Sequence, residues 1–446
     1  MRSFSSFRSE YLVLIFVFVF FNVNYFIQNQ QSELVVIYYH LSNLFYISTL
    51  LYYRKKDNLK FSFLCLLYFI VFHQYGSDPY SEEFSNFMSG PYKFIVFLLF
   101  FSSLEVVSLR WLPFYLLLLL STIYQIIFGD RFRAEYLFND LVFYIAVFPV
   151  LMSSRDSIKS VVDFNKVAYL LYVFSLTLPI SSMLVYALDL FTVLHGSYYF
   201  FYGHTISFVF LYSVVYFISI DKEKNALKFL LCAVNLLVIF QSAQTAYYVI
   251  FILTIVAYCI FNRKIINLLY APLVFFIIYL TNLSVPEDSW VYLKTGQLTS
   301  LFLLDVTSIV ESSNSFAIRA YELINIINVS NYFELFFGSG LGSVYHDNLH
   351  LFHSSMIHEA SFPKKEILSG EFHLVHETLI RLFFHVGLFG FLIFYAVFYK
   401  NLKGGLQFIN VFIFIYFSFL WLSSLQAVFF LTIIMTIIKM RDIGEY

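Results

Sequence analysis

Charge is what this chain has least of. Only 12% of its 446 residues are Asp, Glu, Lys or Arg, against about 25% in a soluble domain. That excludes an ordinary water-soluble globule. Proline and glycine are also scarce, at 8 and 15, too few for a linker-rich protein. The three cysteines, Cys65, Cys232 and Cys259, all lie inside apolar runs. They offer no disulfide framework and no cysteine pair of the metal-binding type. A formal net charge of −1 says nothing in favour of nucleic acid, and no nucleic-acid partner is expected. Neither Walker loop nor dinucleotide fingerprint is present.

Apolar surface is in excess. The chain is 60% hydrophobic, with 59 Phe and 36 Tyr, arranged in runs of about twenty residues, the length that crosses roughly 30 Å of hydrocarbon. The runs are unbroken rather than alternating, which argues against a β-barrel. They fall near 10–28, 34–53, 60–76, 93–109, 111–128, 137–153, 167–187, 204–220, 226–240, 245–261, 265–282, 383–399, 405–422 and 425–438. The expected fold is therefore an all-α polytopic membrane protein of about 12–14 spans. The 93–128 stretch is the weakest division, because Arg110 alone separates two runs. The opening MRSFSSFRSEYLVLIFVFVFF resembles a signal peptide but lacks a small-x-small cleavage site, so a retained first span is expected.

With the N-terminus inside, nineteen of the 27 Lys and Arg fall on the inner side and eight outside. Five of those eight (Lys294, Arg319, Lys364, Lys365 and Arg381) belong to one long loop. Among short loops the bias supports both termini in the cytoplasm. Three regions are expected: a transmembrane bundle over 1–282, a large outer loop with short helices over 283–382, and C-terminal helices over 383–446. The loop holds six of the eleven histidines, and a seventh, His385, lies at its membrane border. "FAIRAYELINII" within it has helical spacing, with Phe316, Ala320 and Leu323 on one face and Arg319 and Glu322 at i,i+3 beside it.

The segment EFHLVHETLIRLFFHVGLFGFLIFYAVFYK (371–400) concentrates chemistry at a membrane entrance. On a continuous helix, Glu377, Arg381 and His385 form one stripe, with His373 leading into it. Gly387 and Gly390 fall beneath His376, leaving a smooth groove for a lipid chain or another helix. A helix-packing face explains the glycines equally well, and Glu377 with Arg381 would also make an i,i+4 pair. GSGLG (Gly338, Gly340 and Gly342) offers backbone N–H groups to an anion or is a turn between surface helices. Arg319, Arg131 and Arg133 carry planar donor forks suited to phosphate; Glu322 is the structural partner that competes for Arg319. His346, His350 and His353 have zinc-like spacing, but the glycines and Asp347-Asn348 around them read as loop, and no metal is expected.

The order of these features resembles the O-antigen polymerase and O-antigen ligase superfamily: many spans, a large outer loop near the C-terminus, Arg319 about twenty residues before Gly338-Ser339-Gly340-Leu341-Gly342, then His376 at a helix entrance and Gly387-Leu388-Phe389-Gly390. The matching motifs cover about 316–400. The chain departs where members often have His-Asn, here His376-Glu377, and where many have Ser-Arg at a middle span, here near Gln244. The resemblance implies a membrane glycosyltransferase of GT-C-like type in the bacterial inner membrane, with its active face periplasmic. It would take glycan from an undecaprenyl pyrophosphate-linked oligosaccharide, without cofactor or metal, and invert the anomeric centre. His376 takes the histidine role, with Glu377 as the alternative base, and Arg319 binds pyrophosphate, helped by Arg381, Arg131 or Arg133. Repeat-unit polymerisation for O-antigen or capsule, with a chain-length regulator as a further partner, is the leading expectation. Ligation to lipid A–core or protein is the alternative. A flippase for the same lipid-linked sugars is the reading from another class; it would need charges such as Glu105, Asp140 and Asp189 along a path.

Overall fold

A computed structural model describes residues 2–28, 34–72, 92–100, 109–138, 140–141, 143–144, 164–188, 192–194, 197–199, 204–221, 225–241, 245–261, 314–352, 362–401 and 408–420. The described residues are mostly α-helical. The longer helices are α1 (Arg2–Gln28), α2 (Leu34–Lys56), α3 (Asn58–Val71), α4 (Leu112–Phe128), α5 (Phe164–Ala187), α6 (His204–Ser219), α7 (Ala226–Gln241) and α8 (Thr245–Phe261). They are followed by α9 (Asn314–Val329), short α10 (Tyr332–Phe337) and α11 (Lys364–Ser369), then α12 (Thr378–Asn401) and α13 (Phe408–Leu420). Two small antiparallel strand pairs interrupt them. β1 (Thr192–Leu194) pairs with β2 (Ser197–Tyr199), and β3 (Tyr345–His346) pairs with β4 (Glu371–Phe372). The runs expected at 265–282 and 425–438, together with Glu105, Asp189, Gln244 and His353, lie outside the described residues.

Helix ends follow local chemistry. Asp57 caps α3, accepting from the Lys60 amide at 3.1 Å, while Arg54, Lys55 and Lys56 sit in the last turn of α2, where cations meet the negative end of the helix dipole. Arg110 sits in a turn just before α4, which starts with Pro113 in its first turn, where proline's missing N–H costs nothing. Asn331 and Glu334 form a reciprocal capping box that starts α10.

Lys166–Val185 and Thr378–Phe398 are long and apolar enough to cross a membrane by length and composition, and shorter apolar helices accompany them. The faces of α4 are inverted relative to a soluble helix. Its buried side carries Ser121, Thr122 and Gln125 beside Phe114 and Leu118; its outward side carries Leu116, Leu119, Leu120, Ile123, Ile126 and Ile127. The side chains form two apolar cores. One joins the long helices from α1 to α8 with α12 and α13. The other, smaller core gathers Ala317, Ile318, Ile326, Tyr345, Phe352 and Phe372 under the α9 lobe. The site lies where the two meet.

Candidate functional site

Helix α9 faces the entrance of α12 with two residues one turn apart. Arg319 Nε bonds Glu377 Oε1 at 2.6 Å, and Glu322 Oε1 lies 2.5 Å from His376 Nδ1. Arg319 and Glu322 thus contact two consecutive residues ahead of α12. Glu322 is fully buried. It accepts at Oε2 from the His376 amide at 3.2 Å, and the Tyr345 hydroxyl lies 3.5 Å from Oε1. A carboxylate on Nδ1 requires the proton there, which puts the imidazole lone pair at Nε2. The ring is braced edge-on by Phe362 at 5.2 Å. His376 and Arg319 keep 22% and 29% of their side chains exposed, so the pair forms a rim. Burial pushes the Glu377 carboxyl above the usual range, and the Arg319 guanidinium pulls it back.

One continuous helix through 371–400 does not form. The α-helix starts at Thr378, because the residues before it spend their amides elsewhere. Glu371 and Phe372 pair with His346 and Tyr345. The His373 and Leu374 amides donate to buried Glu366 Oε2 at 3.0 and 3.1 Å, and the His376 amide goes to Glu322. Two buried carboxylates therefore hold this segment extended. His373 and His376 do not belong to the helical stripe.

The expected stripe divides. Glu377 turns to Arg319, whereas Arg381 and His385 turn inward to Asp140. Arg381 Nη2 reaches Asp140 Oδ1 at 2.8 Å, and its guanidinium lies over Phe143, 4.9 Å from the ring centre. His373 Nε2 is 3.3 Å from Oδ1 and His385 Nε2 is 3.5 Å from Oδ2. The Gly342 amide donates to Oδ2 at 2.7 Å. Tyr136 stacks flat on His373, with ring centres 4.2 Å apart, and the Tyr144 hydroxyl meets His385 Nδ1 at 2.9 Å. Asp140 is wholly buried and Arg381 nearly so. This cluster fastens α12 to the helical residues between 134 and 144.

The other arginines go to separate places. Arg131 is buried and ion-paired with buried Glu334. Arg133 grips Glu371 with two nitrogens, one contact being Nε to Oε2 at 2.7 Å; this raises the guanidinium's pKa and lowers that of the carboxyl. Of the four arginines expected at pyrophosphate, the structure brings only Arg319 to the rim with His376. Arg131 and Arg381 are withdrawn from solvent and already matched by carboxylates.

Gly387 and Gly390, open in sequence to a lipid groove or a packing face, lie against other parts of the chain. Gly387 is not a smooth helical position: its φ of 61° and ψ of −170° break α12. Phe384 and His385 carbonyls instead accept the Ser339 and Gly340 amides at 2.8 and 3.0 Å. A Cβ on Gly387 would fall 2.5 Å from Gly338 N, and one on Gly340 would fall 2.5 Å from Thr122 Cα. The Gly338 amide goes to Glu334 O, that of Leu341 to Thr122 Oγ1 and that of Gly342 to Asp140. All five GSGLG amides are used internally, and one of them, that of Gly342, meets the chain's own Asp140. Gly390 packs toward Leu117.

Sequence reasoning missed Glu322, Glu334 and Glu366 as buried acceptors. His346 lies in β3 and His350 in a left-handed turn at φ 53°; among the described residues no group of three or more His, Cys, Asp or Glu is placed to hold a metal ion. No protein-family model matches the chain, and neither curated proteins nor solved structures give a match.

Proposed function

We propose that this chain spans a bilayer and polymerises lipid-linked oligosaccharide repeat units at the outer face, transferring glycan from undecaprenyl pyrophosphate to an acceptor sugar hydroxyl. The observation that carries this reading is the rim itself. A histidine whose Nδ1 faces the buried Glu322 of α9 is followed in sequence by Glu377, which holds the partly exposed Arg319 of the same helix. Support for the bilayer comes from α4, whose hydroxyls and amide face inward and whose leucines and isoleucines face outward. That arrangement is unfavourable in water and favourable in lipid.

The chemistry follows from these positions. The acceptor O–H attacks the anomeric carbon from the side opposite the pyrophosphate, and its proton passes to His376 Nε2. Glu322 stabilises the resulting imidazolium. The bond from the anomeric carbon to the pyrophosphate oxygen breaks, and Arg319 faces the negative charge that grows on the departing lipid pyrophosphate. The new glycosidic bond has inverted configuration. His376 then releases its proton to water. Glu377 keeps Arg319 aimed at the rim until phosphate oxygens compete for it.

A deletion strain complemented with the wild type, His376→Ala or Arg319→Ala, scored by glycan gel with protein levels measured in parallel, tests the proposal. The deletion and both variants should leave single repeats on the lipid acceptor while the variant proteins accumulate normally. Loss of all attached glycan with long lipid-linked chains accumulating would assign ligation instead. Full extension by either variant would remove that residue from the reaction.

A further inference from the structure

We propose that residues 332–342, helix α10 with the glycine turn after it, form a re-entrant element seated in the outer leaflet, with the aromatic face of α10 against lipid acyl chains. The inference rests on the membrane-spanning part of the preceding reading and is independent of the glycosyl-transfer chemistry. A loop on the aqueous side would meet only the ends of α4 and α12. This segment meets their interiors. Ser121 Oγ donates to Phe337 O at 2.5 Å, and Leu341 N donates to Thr122 Oγ1 at 3.0 Å. Thr122 is six residues from the end of α4 at Phe128, about 9 Å along its axis. On the other side, Ser339 and Gly340 bond the carbonyls of Phe384 and His385. Those lie six and seven residues inside α12, which starts at Thr378, again about 10 Å deep.

Irregular backbone at that depth is tolerated only where protein satisfies its polar groups. This segment meets the condition: every amide from Gly338 to Gly342 has a partner, and the two carbonyls freed by the break at Gly387 are taken by the segment itself. The charge on α10 also points away from lipid, since Glu334 is 5% exposed and paired with Arg131.

The outward face has the complementary character. Tyr332 is 85% exposed, and Phe336 and Phe337 about 40%. Phe389 of α12 lies against both phenylalanines, with ring centres 5.5 and 5.3 Å away. The surface continues on α12 through exposed Leu388 and Leu392, and on α4 through Ile126, Ile127 and Phe128. Its continuity with the outward faces of two apolar helices identifies the occupant as bilayer lipid, with Tyr332 at the level where aromatic rings with a polar tip collect.

Spin labels on Phe336→Cys and, separately, Phe337→Cys in the full chain reconstituted in lipid nanodiscs test this. Leu120→Cys in the middle of α4 and Leu368→Cys on α11 serve as references. The buried native cysteines are accounted for with the unsubstituted parent. The expected result is a several-fold higher ratio of oxygen to water-soluble nickel-chelate collisions at 336 and 337 than at 368, approaching that at 120. Nickel access at 336 and 337 equal to that at 368, with 120 still oxygen-rich, overturns the re-entrant element and leaves the spanning bundle standing. Nickel access at 120 as well overturns both. Monodisperse elution of either cysteine variant suffices for the comparison.

Discussion

Replacing Asp140 by asparagine preserves its shape and one acceptor oxygen while removing the charge on which Arg381, His373 and His385 converge. Arg381 is 4% exposed, so its guanidinium stays buried while losing the carboxylate it meets at 2.8 Å. Breaking a buried pair from one side costs about 3–5 kcal/mol. The amide of Gly342 and Arg381 Nη2 must then compete for one oxygen, and an orphaned donor costs about 1–3 kcal/mol, overlapping with the first cost rather than adding to it. A loss of about 4 kcal/mol is expected. With an average unfolding entropy near 2.1 cal/mol/K per residue, a chain of 446 residues has about 0.9 kcal/mol/K, so the melting temperature should fall by about 4 °C. The double variant Asp140→Asn/Arg381→Gln removes both charges and should recover most of that drop. The assay is loss of the monodisperse peak after graded heating in detergent, for the parent, both single variants and the double variant. An Asp140→Asn protein melting within 1 °C of the parent, or a double variant equal to the sum of the singles, would refute the account of a charge pair that fastens α12.

Glu322→Gln should lower turnover about 10²-fold with little change in KM and no loss of protein, because it removes the charge behind His376 without touching substrate; steady-state kinetics on lipid-linked repeat units would show the split. Gly340→Ala should lower the melting temperature by about 2–5 °C on the same unfolding entropy. It forces a side chain into φ +74° against Thr122 backbone, costing about 1–2 kcal/mol for the backbone and about 1–3 kcal/mol for overpacking. Gly370→Ala, at φ +68° with nothing within 4 Å of the added carbon, should cost only the first of these, and thermal stability distinguishes them. Glu371, held below its ordinary value of 4.5 by Arg133, contributes stability that is fully present above that value and lost as pH falls through the lower folded one. Acid unfolding followed from pH 6 downward should therefore differ between parent and Glu371→Gln above pH 4.5, and the difference should vanish at lower pH.

Helix positions were legible because apolar runs and their breaks are local. The runs expected at 111–128, 226–240 and 245–261 correspond to α4, α7 and α8 within a residue. The start of α12 was not legible from periodicity. The stretch from Glu371 through Thr378 has helical spacing, yet Glu366 and Glu322, one upstream in sequence and the other on α9, take its amides. The choice of His376 and Arg319 as neighbours came from the order of motifs, and the structure brings them together. Which arginines point inward was hidden, because Arg131, Arg133 and Arg381 look alike in sequence. Their surroundings are set by Glu334, Glu371 and Asp140, each more than two hundred residues away along the chain.

The interruption of α12 at Gly387 has a consequence for biogenesis. In the bilayer proposed above, an isolated Thr378–Asn401 helix would strand the Phe384 and His385 oxygens in hydrocarbon if bent, at several kcal/mol each, so the straight form prevails before docking. Bending becomes favourable only when Ser339 and Gly340, synthesised earlier, slide in alongside. The elbow is thus imposed on the helix by its neighbour late in assembly, and a chain stalled before that docking would carry an unbent α12.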